Sequence, residues 1–449
     1  MADTFTFVNV EVITHALIKY LIDNKRRKIV ISYDTRFMGS EFASYIANIM
    51  CKFGIDAFIV DKPMPTPILT YTVKKYDFLF GINVTASHNP PFDNGIKIRM
   101  NYGGPPTEKI IKDIETNFHT LPLGLNRKGS VQIINPFDDY YSEIKLMVDF
   151  DSLKNLQANI LVDTMHGATS NILGAIFKGT KINIDYLNQN EDPYFGGINP
   201  EPKYESTQSL QNLIKKGYYD FGIAHDGDGD RIIAVDPFHG YLSPHDISAI
   251  LVLYLAKYKK IKNKVLGSST LGRKTKRICD FLNLEYQEIP VGFKNATNIM
   301  LSEKILLAAE ENGGLGFGFY LPERDATLVA LKLIEAQLTI TGGIRKLLSE
   351  VNDIAGKSGF CRYNYSPNID RQTLYLKILN LNGEGFDYSE IDNITKLDGL
   401  KIHYTDGSWV SMRFSGTESA IRIYCESDTR EEALQIKDFI VKKIENLDK

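Results

Sequence analysis

The chain has 449 residues, of which 43% are hydrophobic and 24% are charged, and its formal net charge is −3. This composition is typical of a folded globular protein and argues against the disordered and fibrous classes. The 52 Lys and Arg residues are balanced by 55 Asp and Glu residues, so the overall charge does not favour nucleic acid or an anionic membrane as a partner.

The N-terminal part of the chain alternates short apolar segments with amphipathic ones. Lys28–Tyr33 and Asp56–Val60 are predicted as buried strands, and Ser40–Phe53, whose apolar residues follow helical spacing, as the helix between them. A further helix begins near Pro65 and leads to the strand Phe78–Val84. This order of elements predicts parallel βαβ units.

The same alternation begins again after Pro136 and a third time after Pro244. The strands and helices predicted in these two stretches are Asn159–Asp163, Thr169–Phe177, Ile182–Leu187, Thr207–Lys216, Asp220–Ala224, Lys264–Ser269, Arg273–Leu282 and Glu285–Ile289. A chain of this length is too long for one hydrophobic core, so more than one domain is expected. Because the alternating pattern starts three times, the sequence predicts three related mixed α/β domains of the βαβ type.

The end of the chain has a different pattern. Leu400–Thr405, Trp409–Phe414 and Ala420–Ser427 are closely spaced strands, and a helix follows from Arg430 to about Leu447. We therefore predict a fourth, smaller antiparallel α+β domain. The predicted domain ranges are 1–136, 137–242, 243–357 and 358–449.

The cysteines and the N-terminus bear on the cellular location. Cys51, Cys279, Cys361 and Cys425 are far apart and form no CxxC pair, so buried free thiols are expected rather than a disulfide framework. No apolar run reaches the ~18 residues of a transmembrane helix, and the N-terminus lacks the pattern of a signal peptide. These features predict a cytoplasmic protein.

The segment Asp226-Gly-Asp228-Gly-Asp230-Arg231 follows a predicted strand and is the most specific local motif. Three carboxylates at alternate positions, separated by glycines, can converge on a hard cation such as magnesium or calcium. Without a cation, repulsion among these carboxylates is expected to strain the loop. An EF-hand is excluded because Arg231 and Pro237 stand where that loop needs Gly and Glu. A solvated acidic turn is the alternative interpretation.

The segment Thr85-Ala-Ser87-His88-Asn89-Pro90 follows the strand that ends at Val84. Ligands of open α/β sheets bind beyond the carboxyl ends of the strands, so the Ser87 hydroxyl is well placed to act as a nucleophile. Lys97 is a nearby polar group, and the G-x-S-x-G motif of serine hydrolases is absent. A capped turn without catalytic function fits these residues equally well.

Two further segments are suited to a sugar phosphate. In Arg413-Phe-Ser-Gly-Thr-Glu418, followed by Arg422, small hydroxyl residues and flanking arginines suit a phosphate, although a hairpin loop with surface arginines is an alternative. Ala309-Glu310-Glu311-Asn312-Gly-Gly places carboxylates and an amide on a glycine-rich turn, which suits sugar hydroxyls. The glycines after it do not complete a dinucleotide-binding motif.

Taken together and in this order, these four segments resemble the alpha-D-phosphohexomutase superfamily, which includes phosphoglucomutases and phosphomannomutases. The resemblance covers essentially the whole chain. It implies four domains around a central cleft, with one loop from each domain. It also implies an isomerase of carbohydrate metabolism that interconverts hexose 1-phosphate and hexose 6-phosphate through a phosphoserine and a hexose 1,6-bisphosphate.

The resemblance also assigns roles to individual residues. Ser87 would carry the phosphoryl group, with His88, Lys97 and Arg231 assisting catalysis. The ligands of Mg²⁺ would be Ser87, Asp226, Asp228 and Asp230. The residues that would bind the substrate are Gly292, Lys294, Glu310, Asn312, Arg413, Ser415, Gly416, Thr417 and Arg422. Glu310 and Asn312 would hold the sugar hydroxyls, and the last five residues of that set would hold the phosphate that does not react.

The resemblance implies small sugar phosphates as partners, glucose 1,6-bisphosphate as activator and intermediate, and a monomer or homodimer. Glu310-Glu311-x-Gly-Gly is more similar to the glucose-type loop than to the mannose-type loop, so glucose is favoured and mannose possible. A phosphoglucosamine mutase is an alternative. Members usually begin with a G-T-x-G-x-R loop, which this sequence lacks, so a non-catalytic sugar-phosphate-binding protein is a further alternative.

Overall fold

The structure, a computed structural model, describes residues 4–414 and 420–449. These residues form four consecutive units, each built on its own sheet. The first three sheets are mixed and the fourth is antiparallel throughout. The predicted fold class is therefore confirmed.

The first unit is a mixed sheet with strand order β4-β3-β1-β2-β5, in which only β4 runs antiparallel to its neighbour. Its central strands are buried on both faces because helices cover them. The elements are α1 (Phe7–Asp23), β1 (Lys28–Tyr33), α2 (Gly39–Lys52), β2 (Asp56–Val60), α3 (Thr66–Lys75), β3 (Phe80–Val84), β4 (Ile96–Met100), α4 (Glu108–Glu115) and β5 (Val131–Ile134).

The second unit repeats this plan with strand order β10-β9-β8-β6-β7, and here β9 runs antiparallel to both of its neighbours, β8 and β10. A three-residue 3₁₀ turn lies at Phe195–Gly197. The other elements are α5 (Phe137–Lys145), α6 (Phe150–Leu153), β6 (Ala158–Asp163), α7 (Ile172–Ile176), β7 (Ile182–Leu187), α8 (Gln208–Lys215), β8 (Phe221–His225), β9 (Ile232–Asp236) and β10 (Gly240–Leu242).

The third unit has strand order β12-β11-β13-β14. Its first helix starts with a capping box between Ser243 and Asp246 and continues into a π-helical turn at Tyr254–Tyr258. The elements are α9 (Pro244–Leu253), β11 (Lys264–Ser268), α10 (Arg273–Phe281), β12 (Tyr286–Ile289), α11 (Phe293–Met300), β13 (Ile305–Ala309), β14 (Leu315–Gly316), α12 (Ala326–Thr339) and α13 (Gly343–Ala355).

The fourth unit is an antiparallel sheet with strand order β15-β19-β18-β17-β16. Its elements are β15 (Gly359–Tyr365), α14 (Arg371–Leu381), β16 (Ile391–Thr395), β17 (Leu400–Tyr404), β18 (Trp409–Phe414), β19 (Ile421–Ser427) and α15 (Arg430–Leu447). The hydrophobic core of this unit contains only its own residues, whereas one continuous core joins the first three units. The fourth unit is thus the one most able to move as a body.

Most predicted elements differ from the observed ones only at their ends. The helix predicted at 169–177 is shorter, because Asn171 adopts a left-handed backbone with φ of 58° and the helix starts only at Ile172. The elements that the sequence pattern did not reveal include α1, α4–α6, α11–α14, β4, β5, β9, β10 and β14–β16. The exact domain boundaries stay a prediction.

Within residues 4–414 and 420–449, no single helix is long and apolar enough to span a bilayer. The helices α12 and α13 reach that composition only as a pair, and they meet at a bend of 95°.

The second and third units meet backbone to backbone at Gly313. The Ile232 amide at the start of β9 donates a 3.1 Å hydrogen bond to the Gly313 carbonyl, and Arg231 forms a β-bridge with Gly314. Gly313 has φ of 91°, and a Cβ there would lie 2.6 Å from the Ile232 carbonyl oxygen. Only glycine allows this close approach.

We predict that Gly313→Ala destabilises the protein far more than Gly240→Ala. Gly240 also has a left-handed backbone, with φ of 72°, but open space surrounds it. Gly240→Ala should therefore lower the free energy of unfolding by about 1 kcal/mol. Gly313→Ala must in addition displace backbone, which brings the loss to about 2–4 kcal/mol. Urea denaturation of both variants measures this difference, and equal losses would contradict it.

Candidate functional site

The acidic motif forms the tight connection between the antiparallel strands β8 and β9. The Asp226 amide donates to the Arg231 carbonyl at 3.2 Å, and the Gly229 amide donates to the Asp226 carbonyl at 3.1 Å. Gly229 has φ of 69°, which favours glycine. The loop therefore folds back on itself, and all three aspartates are fully buried.

The two carboxylate oxygens of Asp226 have separate tasks. Oδ1 accepts hydrogen bonds from the amides of Asp230 and Arg231, at 2.9 and 3.0 Å, and so fixes the shape of the loop. Oδ2 accepts a 3.1 Å hydrogen bond from the hydroxyl of Ser87. Asp226 thus joins the second unit to the candidate nucleophile of the first.

Cations from two other units surround the remaining carboxylates. Lys97 Nζ lies 2.5 Å from Asp228 Oδ2 and 3.1 Å from Asp230 Oδ2. Arg324, from the third unit, donates to Asp230 Oδ2 at 2.6 Å. The predicted repulsion among these carboxylates is thus opposed by cationic side chains of the first and third units, which neutralise part of the charge.

This arrangement separates the acidities of the three aspartates. Burial and the neighbouring Asp230 and Asp228 raise the pKa of Asp226 well above its ordinary value. Burial also opposes the ionisation of Asp228 and Asp230. The Lys97 ammonium nevertheless holds the pKa of Asp228 below its ordinary value, and Arg324 together with Lys97 does the same for Asp230. Each carboxylate thus depends on a neighbour for its charge state.

The acidic motif has the donor set for a divalent cation. One oxygen from each of Asp226, Asp228 and Asp230 lies within 4.8 Å of the others. Among the described residues, Oδ1 of Asp228 and Oδ1 of Asp230 are buried without a hydrogen-bond partner. Buried orphan carboxylate oxygens are costly, and a hard cation would satisfy them. The residues present therefore fit a magnesium ion.

Ser87 lies directly after the buried strand β3, in a strained turn. Its backbone is left-handed, with φ of 54°, and its amide donates to Thr85 Oγ1 at 2.9 Å. The carbonyl of Ser87 packs closely on the metal loop, since a Cβ on Gly227 would lie 2.7 Å from it. Strain of this kind persists only where the surroundings enforce it, as is frequent at functional sites.

Arg36 holds the Ser87 loop through main-chain atoms. It uses its terminal nitrogens to donate to the carbonyls of Ser87, Asn89, Pro90 and Asp93, at 2.7–2.9 Å. Nε of the same side chain donates to a buried carboxylate, Asp34 Oδ2, at 3.2 Å. All five N–H groups of the guanidinium are therefore used, and four of them bind main-chain oxygens of the loop.

Asp34 is the carboxylate that supports this arginine. It lies just beyond β1 and also accepts a 2.5 Å hydrogen bond from the hydroxyl of Thr85. Burial raises the pKa of Asp34 to about 6, although the adjacent Arg36 opposes the shift. The ends of β1 and β3, which are neighbours in the sheet, thus share one polar network.

The position of Lys97 follows from strand β4. Lys97 is the register partner of Asn83 on β3, so its side chain projects from the same face of the sheet. Arg99, two residues on, shares that face and forms an ion pair with Glu323 of the third unit. Strand β4 thereby places the Lys97 ammonium beside the acidic loop and the Arg99 guanidinium beside the segment that contains Arg324.

His88 and Arg231 lie beside this centre. Among the described residues, Nδ1 of the His88 ring is buried without a hydrogen-bond partner. Burial and the charges of Arg231 and Lys97 lower the pKa of His88, so its imidazole is neutral. Arg231 Nε lies 3.9 Å from carboxylate oxygens of both Asp226 and Asp230. The structure thus places all the predicted catalytic side chains around the acidic loop.

The predicted sugar-binding residues of the third unit form a second group. Glu310 follows β13, accepts from the Gly292 amide at 2.9 Å, and contacts Arg324 at 3.3 Å. The Asn312 side chain accepts from the backbone of its own turn. Lys294 is placed differently, in a 2.7 Å ion pair with Glu108 of the first unit. Glu310 is thus linked to the acidic loop through one arginine, and Lys294 is not.

The two predicted phosphate-binding arginines of the fourth unit are neighbours. Arg413 on β18 and Arg422 on β19 are register partners of the antiparallel pair. Arg413 Nε donates to Asp398 Oδ2 at 2.9 Å. Ser415, Gly416 and Thr417 lie outside the described residues, so their predicted role stays a prediction.

Sequence reasoning missed several residues of this site. They are Asp34, Arg36, Thr66, Asn83, Glu323, Arg324 and Asp398. One signal was available: the segment Asp34-Thr-Arg36 follows a buried strand, as Ser87 and Asp226 do, and so lies at the same edge of a sheet. Thr66, which donates to Asp228 at 2.5 Å, and Arg324 reach the loop only through the packing of units.

Comparison with known families matches most of the chain, in four segments that follow one another. Residues 1–123 match the phosphoglucomutase/phosphomannomutase alpha/beta/alpha domain I, and residues 138–238 match domain II. Residues 243–353 match domain III, and residues 347–443 match the C-terminal domain of the same family.

Individual relatives agree with this match. A phosphoglucomutase/phosphomannomutase of Thermococcus kodakarensis is 27% identical, over 94% of this chain and 90% of the relative. A phosphoglucosamine/phosphogalactosamine mutase of Sulfurisphaera tokodaii is 28% identical, over 94% and 92%. The crystal structure of a Thermus thermophilus protein described as a phosphomannomutase superimposes with a TM-score of 0.86 at 25% identity, covering 99% of this chain and 96% of that one.

We predict that Mg²⁺ stabilises the folded protein through the acidic loop. A ligand that binds only the folded state at 100 times its Kd adds about 2.7 kcal/mol to the free energy of unfolding. Asp228→Asn should abolish this gain, whereas Asp185→Asn, which alters an exposed carboxylate on β7, should retain it. Thermal unfolding with Mg²⁺ and with a chelator measures the effect, and an undiminished gain in Asp228→Asn would contradict the assignment.

Proposed function

The chain belongs to the phosphoglucomutase/phosphomannomutase family, whose members are phosphohexomutases, and from this premise we propose that it interconverts glucose 1-phosphate and glucose 6-phosphate through a phosphorylated Ser87. It is accordingly an isomerase that transfers a phosphoryl group within its substrate. Mannose phosphates are proposed as secondary substrates.

One observation carries the proposal. The Ser87 hydroxyl and Asp226 Oδ2 lie 3.1 Å apart in a buried site where Lys97 and Arg324 also converge. Phosphoryl transfer requires positioning and neutralisation of charge more than covalent assistance. A hydroxyl held against an acidic metal-binding loop and flanked by cations supplies both requirements.

The proposed reaction conserves the phosphoryl group. Phosphorylated Ser87 transfers its phosphoryl group to the free hydroxyl of the hexose monophosphate, which gives a hexose 1,6-bisphosphate and a free serine hydroxyl. In the balance of this step, the hydroxyl proton of the sugar passes to the Ser87 oxygen, which becomes the free hydroxyl. The bisphosphate then presents its other phosphate to Ser87, which takes it back and is phosphorylated again. No net phosphate is gained or lost by the enzyme.

The residues around Ser87 divide the work. Asp226, Asp228 and Asp230 would hold Mg²⁺ together with an oxygen of the phosphorylated serine, and the ion would neutralise charge on the phosphoryl group. The Lys97 ammonium lies next to two of these carboxylates and stabilises the same charge. Arg36 keeps the loop in one shape while the serine alternates between its two states.

The remaining loops are proposed to recognise the rest of the substrate. Glu310 and Asn312 bind sugar hydroxyls. Arg413 and Arg422, adjacent in the sheet, bind the phosphate that does not react. Because this phosphate site of Arg413 and Arg422 lies on a separate unit from Ser87, either phosphate of the bisphosphate can occupy it. This satisfies the need of a mutase to bind one molecule in two orientations.

The preferred sugar is part of the proposal. We favour glucose because of Glu310-Glu311-x-Gly-Gly, and a glucosamine phosphate is the second candidate because a relative at 28% identity is named as a phosphoglucosamine/phosphogalactosamine mutase. Glucose 1,6-bisphosphate as activator, a phosphorylated serine in the purified protein and a cytoplasmic location belong to the same proposal.

Ser87→Ala is predicted to abolish turnover of glucose 1-phosphate. Mutase activity is measured with Mg²⁺ and catalytic glucose 1,6-bisphosphate, with mannose 1-phosphate and glucosamine 1-phosphate in parallel. Since the proposed mechanism routes the phosphoryl group through Ser87 alone, we expect a loss of about 10³-fold or more. Ser152→Ala, at an exposed helix start, is the control and should retain activity.

The three sugars separate the remaining alternatives. The sugar with the highest kcat/KM identifies the substrate. Turnover that persists in Ser87→Ala would contradict the phosphoserine mechanism. Wild-type protein that turns over none of the three sugars would contradict the proposed reaction, and sugar-phosphate binding without turnover would favour a binding protein.

Lys97→Met is predicted to separate metal binding from catalysis. The ammonium lies 2.5 Å from a proposed ligand, so its removal should strengthen Mg²⁺ binding by relieving charge repulsion. The same change should lower kcat about 10²–10³-fold, because the developing charge loses a partner. Calorimetric titration and steady-state kinetics measure the two effects, with the exposed Lys112→Met as control. Weaker metal binding in Lys97→Met would contradict the assignment.

A further inference from the structure

The third and fourth units meet along a polar seam close to Arg413. Lys401, on β17, donates to the Ser269 carbonyl at 2.7 Å and to Glu288 at 2.8 Å. Asp398, in the turn between β16 and β17, reaches the same part of the third unit. Of these residues, Asp398 is the one that also contacts a predicted phosphate-binding side chain.

One carboxylate oxygen of Asp398 joins both units. Oδ2 accepts from Arg413 Nε at 2.9 Å, from the Val291 amide at 3.0 Å and from the Ser269 hydroxyl at 3.4 Å. The first donor belongs to the fourth unit and the other two to the third. The Asp398 side chain retains 20% of its exposure and Arg413 retains 10%, so the contact is largely shielded from solvent.

The backbone is shaped to bring Asp398 to Arg413. Gly399, the next residue, has φ of 100°, and a Cβ on it would lie 2.3 Å from the Met412 carbonyl oxygen and 3.0 Å from the Arg413 Cα. Glycine therefore permits a close approach of the turn to β18 that other residues would prevent. The contact between Asp398 and Arg413 is thus built into the main chain.

The Val291 amide leads directly to the predicted sugar site. The next amide along the chain, that of Gly292, donates to Glu310 Oε1 at 2.9 Å. Two consecutive N–H groups of one loop are therefore held by two carboxylates, Asp398 from the fourth unit and Glu310 from the third. Glu310 contacts Arg324, which contacts Asp230 of the acidic loop.

We propose that Asp398 is a positioning residue that orients Arg413 for the non-reacting phosphate and ties that grip to the loop beside Glu310. This inference rests on the proposed function. Because Asp398 accepts the hydrogen bond of Arg413 Nε, it fixes the plane of the guanidinium and leaves the terminal nitrogens to bind the phosphate. Asp398 can accept the hydrogen bond from the Val291 amide only while the fourth unit is docked against the third. Binding of the phosphate by Arg413 and docking of the two units therefore stabilise each other.

The charge of Asp398 is what this role requires. An asparagine keeps a similar shape and an acceptor oxygen but loses the charge-assisted bond to the guanidinium. Burial opposes the Arg413 charge, and Asp398 is the main group that raises the pKa of Arg413 against it. A neutral residue at this position would leave Arg413 less well oriented without removing it.

The test compares wild type, Asp398→Asn and Asp398→Glu, with Asp392→Asn, an exposed carboxylate on β16, as the matched control. The non-reacting phosphate is bound in both ground and transition states, so its grip affects KM more than kcat. For Asp398→Asn we expect KM for the substrate to rise about tenfold or more, with kcat changed less than about threefold. Asp398→Glu should recover part of the loss.

A second comparison distinguishes positioning from structural support. In Arg413→Lys, the side-on Nε–H group is absent, so adding Asp398→Asn should change KM by less than about twofold. A KM for Asp398→Asn within about twofold of wild type would overturn the proposal. The proposal would also be overturned if Asp398→Asn raised KM in the Arg413→Lys background as much as it does in wild type, because Asp398 would then act through another group.

Equilibrium binding separates this inference from the proposed function. Trp409 is the only tryptophan of the chain and lies buried on β18. The ammonium of Lys401, which belongs to the seam, lies 4.6 Å from the centre of its ring, so its fluorescence reports on the seam. If wild type binds glucose 6-phosphate without turnover, the proposed reaction fails, and Asp398→Asn must still bind about tenfold more weakly for the inference to stand. If wild type does not bind it either, both are overturned.

Discussion

The concentration of buried negative charge between β8 and β9 is the constraint on which the rest of the structure depends. Three carboxylates without contact with water cannot all remain ionised unless positive charge is brought to them. The chain meets this requirement mainly from outside the loop. Lys97 comes from the first unit and Arg324 from the third, while Arg231 belongs to the loop itself. Charge neutralisation therefore also fixes how three units are arranged, and it brings a serine hydroxyl to the same point.

Much of this could be predicted from the sequence, and the successful part has a common physical reason. Ser87 and the aspartates of the metal loop follow apolar strands directly, so the βαβ pattern alone places them at the functional edge of a sheet. The fold class was predictable for the same reason, since hydrophobic periodicity is a local property. The short antiparallel strand that carries Lys97 was missed, although apolar and basic residues alternate along Ile96–Met100, because a run of only five residues gives a short signal.

The residues that escaped prediction act through tertiary contacts. Arg36 binds carbonyl oxygens, which every sequence has, so nothing in the letters of the Ser87 loop points to it. Arg324 and Asp398 each contact a residue of another unit, 94 and 107 positions away in the chain, respectively. Their roles depend on how the units dock, and docking leaves no periodic signal. The fourth unit in particular has its own core, so its polar seam with the third unit is known only from the structure.

The way in which Arg36 holds the Ser87 loop has an evolutionary consequence. Since the guanidinium contacts only main-chain oxygens of that loop, substitutions at positions 88–93 can change the chemistry around the serine while the loop keeps its shape. The reverse does not hold, because replacing Arg36 removes the support of several carbonyls at once. The shape and the reactivity of this loop can thus vary separately, because much of its geometry is supported by one residue outside it.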